Sequence, residues 1–417
     1  MRKQVETSRA IAETIALCKP EVICAYPITP QTHIVEGLAQ MVQTGQLSNC
    51  EFINVESEFA ALSVAIGASA AGARAYTATA SQGLLFMAEA VYNASGLGLP
   101  IVMTIGNRAI GAPINIWNDH SDSMSMRDAG WIQLFAETAQ EAADLHILAF
   151  RIAEELSCPV MVCVDGFILT HSYEQFDIFS QADVDAFLPA FEPRQVLDPA
   201  HPVSIGAMVG PEAFMEVRYL AHHKQLRALE RIPVLSEEFE RRFGHSTGGL
   251  LRTYRTEGAE TIVVALGSVN GTIQDVVDDL RQEGSSIGSV SIGCYRPFPL
   301  AALRAALGHA ERVVVVEKSL APGIGGTLAT DVRTALAGSG IPIFTAIAGL
   351  GGRAITKASL LSLFKKAEAG TLDDLLFLDL NLPLIQRHLD REKQQGRTGP
   401  TAENLLSDIR ALAAQIG

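Results

Sequence analysis

Phe59–Ala88 reads FAALSVAIGASAAGARAYTATASQGLLFMA, a run of 30 residues with one charge, Arg74. How it is read decides the fold. As one element it would be a membrane span, because about 20 apolar residues cross a bilayer. Two features oppose that. The run is rich in Ala, Gly, Ser and Thr, whereas a lipid-facing helix relies on Leu and Ile. It also divides into parts. Phe59–Ala73 reads as a close-packed helix, Arg74–Ala80 as a short buried strand, and Ser81-Gln82-Gly83 as a turn. Small residues then let backbone approach backbone, or let a cofactor ring approach backbone.

Outward from this run, strand and helix signals alternate over residues 1–170. Glu21–Tyr26, Phe52–Val55, Pro100–Ile105 and Pro159–Val164 are short apolar strands, with helical stretches such as Ala139–Leu156 between them. The start, from Met1, is expected to enter a mixed helix containing Glu13. Continuous apolar strands between helices imply an α/β fold with a mostly parallel sheet covered on both faces. Residues from about 171 to 247 differ and read as a connecting arm, with Glu212–Arg242 charged and helical. Patterning resumes at Thr261–Leu266, Val290–Ile292, Arg312–Val316 and Ile341–Ala346. The expected organisation is a first unit over 1–247 including the arm, a smaller α/β unit over 248–365, and a helical, charged tail over 366–417. Within the tail, Arg391–Pro400 is expected to be exposed.

The chain has 417 residues, 48% of them hydrophobic, which is ample for large cores. Its formal net charge of −14 argues against nucleic acid and anionic membrane as main partners. The six cysteines, Cys18, Cys24, Cys50, Cys158, Cys163 and Cys294, form no CxxC pair and have no His at metal-ligand spacing. They supply neither a cluster-binding run nor a disulfide framework, and a reducing cytoplasm is the simplest compartment.

Several motifs carry chemistry. Pro322-Gly-Ile-Gly-Gly326 lacks dinucleotide spacing and reads as a packing turn. Gly349-Leu-Gly-Gly-Arg353 is also a tight turn, and Gly244-His-Ser-Thr-Gly248 a linker turn. Asn118-Asp-His-Ser-Asp122 has the residue types of a metal loop, but irregular spacing favours a polar turn. Glu58 follows an apolar strand and opens an apolar helix. It either serves the helix dipole or meets a ligand. Arg108 follows the strand ending at Ile105, where an α/β sheet binds ligands. It suits a carboxylate, or a rim salt bridge. Thr29 stands between Pro27 and Pro30, placed to orient a ligand or to bond the backbone. If their strands are parallel, Thr29, Glu58 and Arg108 share one sheet edge.

Eight short motifs stand in order: Tyr26-Pro-Ile-Thr-Pro30, Val55-Glu-Ser-Glu58, Thr79-Ala-Ser-Gln-Gly-Leu84, Asn107-Arg-Ala-Ile110, Ile114-Asn-Ile-Trp-Asn-Asp119, Val164-Asp-Gly-Phe167, Tyr295-Arg-Pro-Phe298 and Gly349-Leu-Gly-Gly-Arg353. Together they resemble the α subunit of pyruvate:ferredoxin oxidoreductase and its 2-oxoacid:acceptor oxidoreductase relatives, over about residues 5–360. The resemblance implies a pyrimidine-binding domain of the thiamine diphosphate (ThDP) fold and a transketolase C-terminal-like domain. It implies that Glu58 bonds the cofactor's aminopyrimidine, that Ser81 and Gln82 adjoin the cofactor, and that Thr29 and Arg108 bind the 2-oxo acid, with Arg108 on its carboxylate. The implied reaction is oxidative decarboxylation to acyl-coenzyme A, with electrons leaving through iron–sulfur clusters. No Gly-Asp-Gly occurs, so the diphosphate and Mg²⁺ site is expected on a β subunit. The [4Fe–4S] clusters are expected on γ- and δ-type subunits, and the acceptor as ferredoxin, flavodoxin or a flavin/NAD subunit. Pyruvate, a branched 2-oxo acid and phenylglyoxylate all suit these motifs. Two other readings are a β-type chain of a lipoamide-linked ThDP dehydrogenase and a non-catalytic partner subunit.

Overall fold

The low-charge run folds as helix Glu58–Ala70, strand Ala75–Thr79 and helix Ser81–Phe86. No helix among the described residues is long and apolar enough to cross a membrane. Ser81-Gln82-Gly83, expected to be a turn, is the first turn of that last helix. The structure, a computed structural model, describes residues 2–397 and 399–416. Thr398, inside the stretch expected to be exposed, and Met1 lie outside the described residues.

The architecture is α/β, with two mostly parallel sheets flanked by helices. The first sheet has seven strands in the order Cys294–Arg296, Ile132–Phe135, Val160–Asp165, Val102–Asn107, Ala75–Thr79, Val22–Ala25 and Glu51–Asn54. All run parallel except the Cys294–Arg296 edge. Ala75–Thr79, Val102–Asn107 and Val160–Asp165 are buried throughout, as two-sided cover requires. Small residues of Glu58–Ala70 let that helix lie close on the Val22–Ala25 and Ala75–Thr79 strands.

The second sheet has six strands in the order Leu375–Phe377, Ile343–Ile347, Arg312–Glu317, Thr261–Ala265, Ile287–Ile292 and Leu251–Tyr254. The two sheets share one apolar core. A single cluster runs from Met103 and Trp131 to Val264, Val290 and Val313.

Four features depart from the sequence expectations. Arg2–Glu6, expected to enter a helix, is a strand paired with Tyr173–Asp177; the helix begins at Thr7. Cys294–Arg296, in the stretch assigned to the second unit, crosses to the edge of the first sheet, where Phe135 N–H donates to the Gly293 carbonyl at 2.8 Å. Leu375–Phe377, in the stretch read as a helical tail, adds a strand to the second sheet. Ile132–Phe135 is a strand that the apolar patterning did not reveal. The stretch read as an arm carries strand Tyr173–Asp177, helix Gln181–Phe187 and the 30-residue helix Phe214–Phe243, which packs on Ala139–Leu156 and buries Ala228, Ile232, Leu235 and Phe239.

All six cysteines are buried free thiols, and burial pushes each above the ordinary thiol range.

Candidate active site

Because the strands of the first sheet are parallel, their carboxyl ends meet at one edge. Thr29, Glu58, Ser81 and Arg108 all follow such ends, after Ala25, Asn54, Thr79 and Asn107. This is where open α/β sheets bind ligands.

Glu58 begins its helix after Ser57, whose hydroxyl accepts from Ala60 N–H at 3.2 Å. The residue as a whole is 9% exposed, and its carboxylate has no hydrogen-bond or ion-pair partner among the described residues. Its oxygens keep some solvent contact, so a water or a ligand donor can reach them. The side chain lies against Gly83. A Cβ added at Gly83 would stand 2.7 Å from Glu58 Oε1 and 2.5 Å from Thr79 Oγ1. Thr79 Oγ1 is itself buried and unpaired.

Arg108 is 8% exposed, and burial lowers its pKa against the pull of Asp122. Its Nη1 donates to the Thr29 carbonyl at 2.9 Å, and its Nε to the Asn115 carbonyl at 3.4 Å. Thr29 and Arg108 are therefore in contact, with Thr29 exposed. Gln31, fully buried, holds the Thr29 turn by donating to the Tyr26 carbonyl at 3.0 Å.

Ser81 is fully buried. Its hydroxyl faces the Ala109 carbonyl and the Gln82 amide oxygen, while Gln82 Nε2 donates to the Gly111 carbonyl at 3.4 Å. Both residues thus bind the loop that follows Arg108.

Asp122, which the sequence offered only as part of a metal-like loop, is the hub of this edge. Its carboxylate accepts from Ser81 N–H and Arg108 N–H at 3.0 Å each, from Asn107 Nδ2 at 2.8 Å and from its neighbour Ser123 N–H at 2.7 Å. Burial pushes its carboxyl up to about 6, against those four donors. The same loop contributes a second joint. His120 Nε2 lies 2.6 Å from Asp165 Oδ1, and Lys318 Nζ donates to Asp165 Oδ2 at 2.7 Å. Ser268 N–H adds a bond to Asp165 Oδ2 at 3.0 Å. Burial pushes the Asp165 carboxyl up, yet Lys318 and His120 beside it hold it well below the ordinary carboxylate range.

The glycine turns have structural reasons. Asn115 Nδ2 donates to the Gly351 carbonyl at 3.1 Å, and Gly352 N–H donates to the Asn118 carbonyl at 2.8 Å. Side chains at Gly351 or Gly352 would meet Asn115 and Trp117 at 2.5 Å, and both glycines have positive φ. The second sheet's turn therefore grips the loop that supports Arg108. Gly326 lies against Glu317, whose buried carboxylate accepts from Leu328 and Ala329 N–H at 2.9 and 3.0 Å. That turn serves an internal carboxylate at a helix N-terminus. Gly244 ends the arm helix in the left-handed conformation, and His245 pairs with Asp144 at 2.8 Å.

Other buried polar atoms at this edge lack protein partners: Gln31 Oε1, Asn107 Oδ1 and both amide atoms of Asn118. These atoms, with Thr79 Oγ1, are polar groups for which the chain itself supplies no partner.

Residues 13–237 match the family model described as pyruvate flavodoxin/ferredoxin oxidoreductase, thiamine diphosphate-binding. Residues 259–360 match core domain II of pyruvate:ferredoxin oxidoreductase. Pyruvate synthase subunit PorA of Methanosarcina barkeri is 45% identical over 91% of this chain and 97% of its own. Ketoisovalerate oxidoreductase subunit VorA of Pyrococcus horikoshii is 37% identical over 89% and 96%. Among solved structures, 2-oxoglutarate:ferredoxin oxidoreductase from Magnetococcus marinus superposes with a TM-score of 0.66 at 19% identity, over 88% of this chain and 65% of that one. A split-gene transketolase gives 0.52 at 16% identity, over 88% and 99%. The fold is that of the ThDP enzymes, and the chain belongs to the pyruvate and 2-oxoacid:ferredoxin oxidoreductase family, as a subunit of the α type.

Proposed function

We propose that this chain supplies the 2-oxo acid site and the pyrimidine side of the ThDP site in a multi-subunit oxidoreductase. The reaction is 2-oxo acid plus coenzyme A to acyl-coenzyme A, CO₂, one proton and two electrons. One observation carries the reading: an unpaired carboxylate, Glu58, stands on the same sheet edge as the touching pair Arg108 and Thr29. ThDP, when bound, supplies the carbanion chemistry. Glu58 would accept a hydrogen bond from the cofactor's pyrimidine, with Gly83 leaving room for the Glu58 side chain itself. Arg108 binds the substrate carboxylate, Thr29 orients it, and Asp122 fixes the Arg108 and Ser81 backbones. Ser81 and Gln82 shape the cofactor pocket through the 109–111 loop. Two of the four donors to Asp122 are the Ser81 and Arg108 backbone N–H groups, so these groups are held in place without side-chain rearrangement, which is the preorganisation that catalysis needs.

Gly-Asp-Gly is absent from the sequence, and the six buried cysteines are not spaced for clusters. These facts support Mg²⁺ and the diphosphate site on a β subunit, and [4Fe–4S] clusters on γ- and δ-type subunits. The family match supports ferredoxin or flavodoxin as electron acceptor, with a flavin/NAD subunit as the alternative, and six free thiols suit a reducing cytoplasm. The 45% identity to a pyruvate synthase subunit supports pyruvate as substrate ahead of branched or aromatic 2-oxo acids such as phenylglyoxylate. The test is turnover of the purified complex on a panel of 2-oxo acids. Pyruvate is expected to have the highest kcat/KM, and no turnover of any 2-oxo acid would overturn the reading.

Two variants test the substrate side. Arg108→Ala is expected to raise the KM for the 2-oxo acid about 10- to 150-fold, the worth of one charge-assisted hydrogen bond. The KM for coenzyme A should stay unchanged, and an equal rise in both would count against carboxylate binding. Asn115→Ala removes the bond to the Gly351 carbonyl and the Asn115 Oδ1 acceptor of Trp117 N–H at 2.8 Å. At roughly 0.5–1.5 kcal/mol per bond, the 2-oxo acid KM should rise several-fold with kcat retained. An unaltered KM would show that the turn at 349–353 does not position Arg108.

A further inference from the structure

We propose that Glu6, His33 and His171 form a site for one divalent ion of the zinc class. The three come from separate elements: Glu6 from the end of strand Arg2–Glu6, His33 from the first turn of helix Thr32–Gln43, and His171 from the loop after Val160–Asp165. One ligand atom from each lies within 4.8 Å of the others. Ligands around tetrahedral zinc at 2.0–2.2 Å stand about 3.4 Å apart, so the set would draw in by about 1.4 Å at most around an ion. Two imidazoles and a carboxylate are the donors that zinc takes, with a fourth position left to water.

The frame is rigid. Glu6 stands opposite Tyr173 in the ribbon, and Thr7 N–H donates to the Ser172 carbonyl at 2.9 Å. Ser8 Oγ donates to the Thr170 carbonyl at 2.6 Å. Thr170 Oγ1 accepts from Phe167 N–H at 2.8 Å and lies 2.8 Å from His171 Nδ1. In the tautomer whose Nδ1–H donates to that hydroxyl, Nε2 is bare for an ion, the usual outer support of a metal-bound histidine. The rings of His33 and His171 stand 4.8 Å apart, and His33 Nδ1 is 2.7 Å from Glu6 Oε1. An ion would take the place of the proton shared by that pair. Glu36 and Arg9 border the same cavity; Arg9 is occupied by Glu13 and Gln40. His33 is four residues beyond Thr29, so the ion would tie the N-terminal ribbon to the helix that follows the substrate turn.

The test is calorimetric titration of zinc into the untagged, chelator-stripped full chain, with cobalt as spectroscopic probe. One ion per chain is expected, with tetrahedral cobalt absorption and a higher unfolding temperature. His33→Ala and His171→Ala should each weaken binding more than tenfold, and Thr170→Val about tenfold. Glu36→Gln should bind as the parent does. Absence of saturable binding, or binding that persists in the His33→Ala/His171→Ala double variant, overturns the site. Cobalt spectra and melting of the unsubstituted chain decide the matter even if a variant misfolds.

Discussion

Replacing Glu58 by glutamine is expected to lower kcat about 10²- to 10⁴-fold, the usual worth of a positioned acid–base group, while the complex still assembles. The substitution is nearly isosteric, and the helix start rests on Ser57 rather than on the Glu58 side chain. Folding therefore has little to lose. Chemistry has much to lose, because a carboxylate with no protein partner is felt strongly by a ring nitrogen placed against it, and a neutral amide is not. Steady-state turnover together with sedimentation of the complex makes the measurement. Turnover within threefold of the parent would remove Glu58 from its proposed role.

Gly83 gives an independent check on the same geometry. Gly83→Ala leaves Glu58 chemically intact but places a methyl 2.7 Å from Oε1 and 2.8 Å from its Cγ. Glu58 must then move. A kcat loss approaching that of the glutamine variant is expected, and a normal kcat would mean that the position of Glu58 over Gly83 is immaterial.

The parallel sheet was legible because its strands are continuous apolar runs, and because the shared edge of Thr29, Glu58 and Arg108 follows from strand direction alone. What escaped reading escaped for physical reasons. Ile132–Phe135 carries Gln133, a polar residue buried at 0% exposure whose amide donates to the Ser123 carbonyl at 2.9 Å. A strand with a polar residue inside breaks the apolar pattern. Arg2–Glu6 and Tyr173–Asp177 pair with each other in a ribbon that gives the core only Phe176 and, in part, Val5, so neither shows an apolar run. Leu375–Phe377 is three residues behind Asp373 and Asp374, and reads as part of a charged tail. Cys294–Arg296 joins a sheet whose other strands end 129 or more residues earlier by chain order, as Val160–Asp165 does. Local pattern carries no information about such a crossing. Asp122 was visible only as one acid in a polar loop. Its four N–H donors come from Ser81, Asn107, Arg108 and Ser123, and only folding brings the first three to it.

Lys318→Met is expected to be the most damaging single change to stability. Lys318 and Asp165 are buried and belong to different sheets, and removing one partner of such a pair costs roughly 3–5 kcal/mol. Urea denaturation should show this as a lower midpoint. The double variant Asp165→Asn/Lys318→Met should lose less than the two single losses combined, because no buried charge is then stranded. The sign with pH follows from the Asp165 carboxyl being held low. Its folded value lies below its unfolded value, so the stabilisation is whole above about pH 4 and is lost as pH falls further. The gap between parent and Lys318→Met should therefore narrow in acid. The joint also reaches the site: the Lys318 carbonyl accepts His120 N–H at 2.8 Å, two residues before Asp122, which holds the backbones of Ser81 and Arg108. Loosening it should raise the 2-oxo acid KM at temperatures where the variant is still folded. A stability loss under about 1 kcal/mol would show that His120 and Ser268 alone satisfy Asp165.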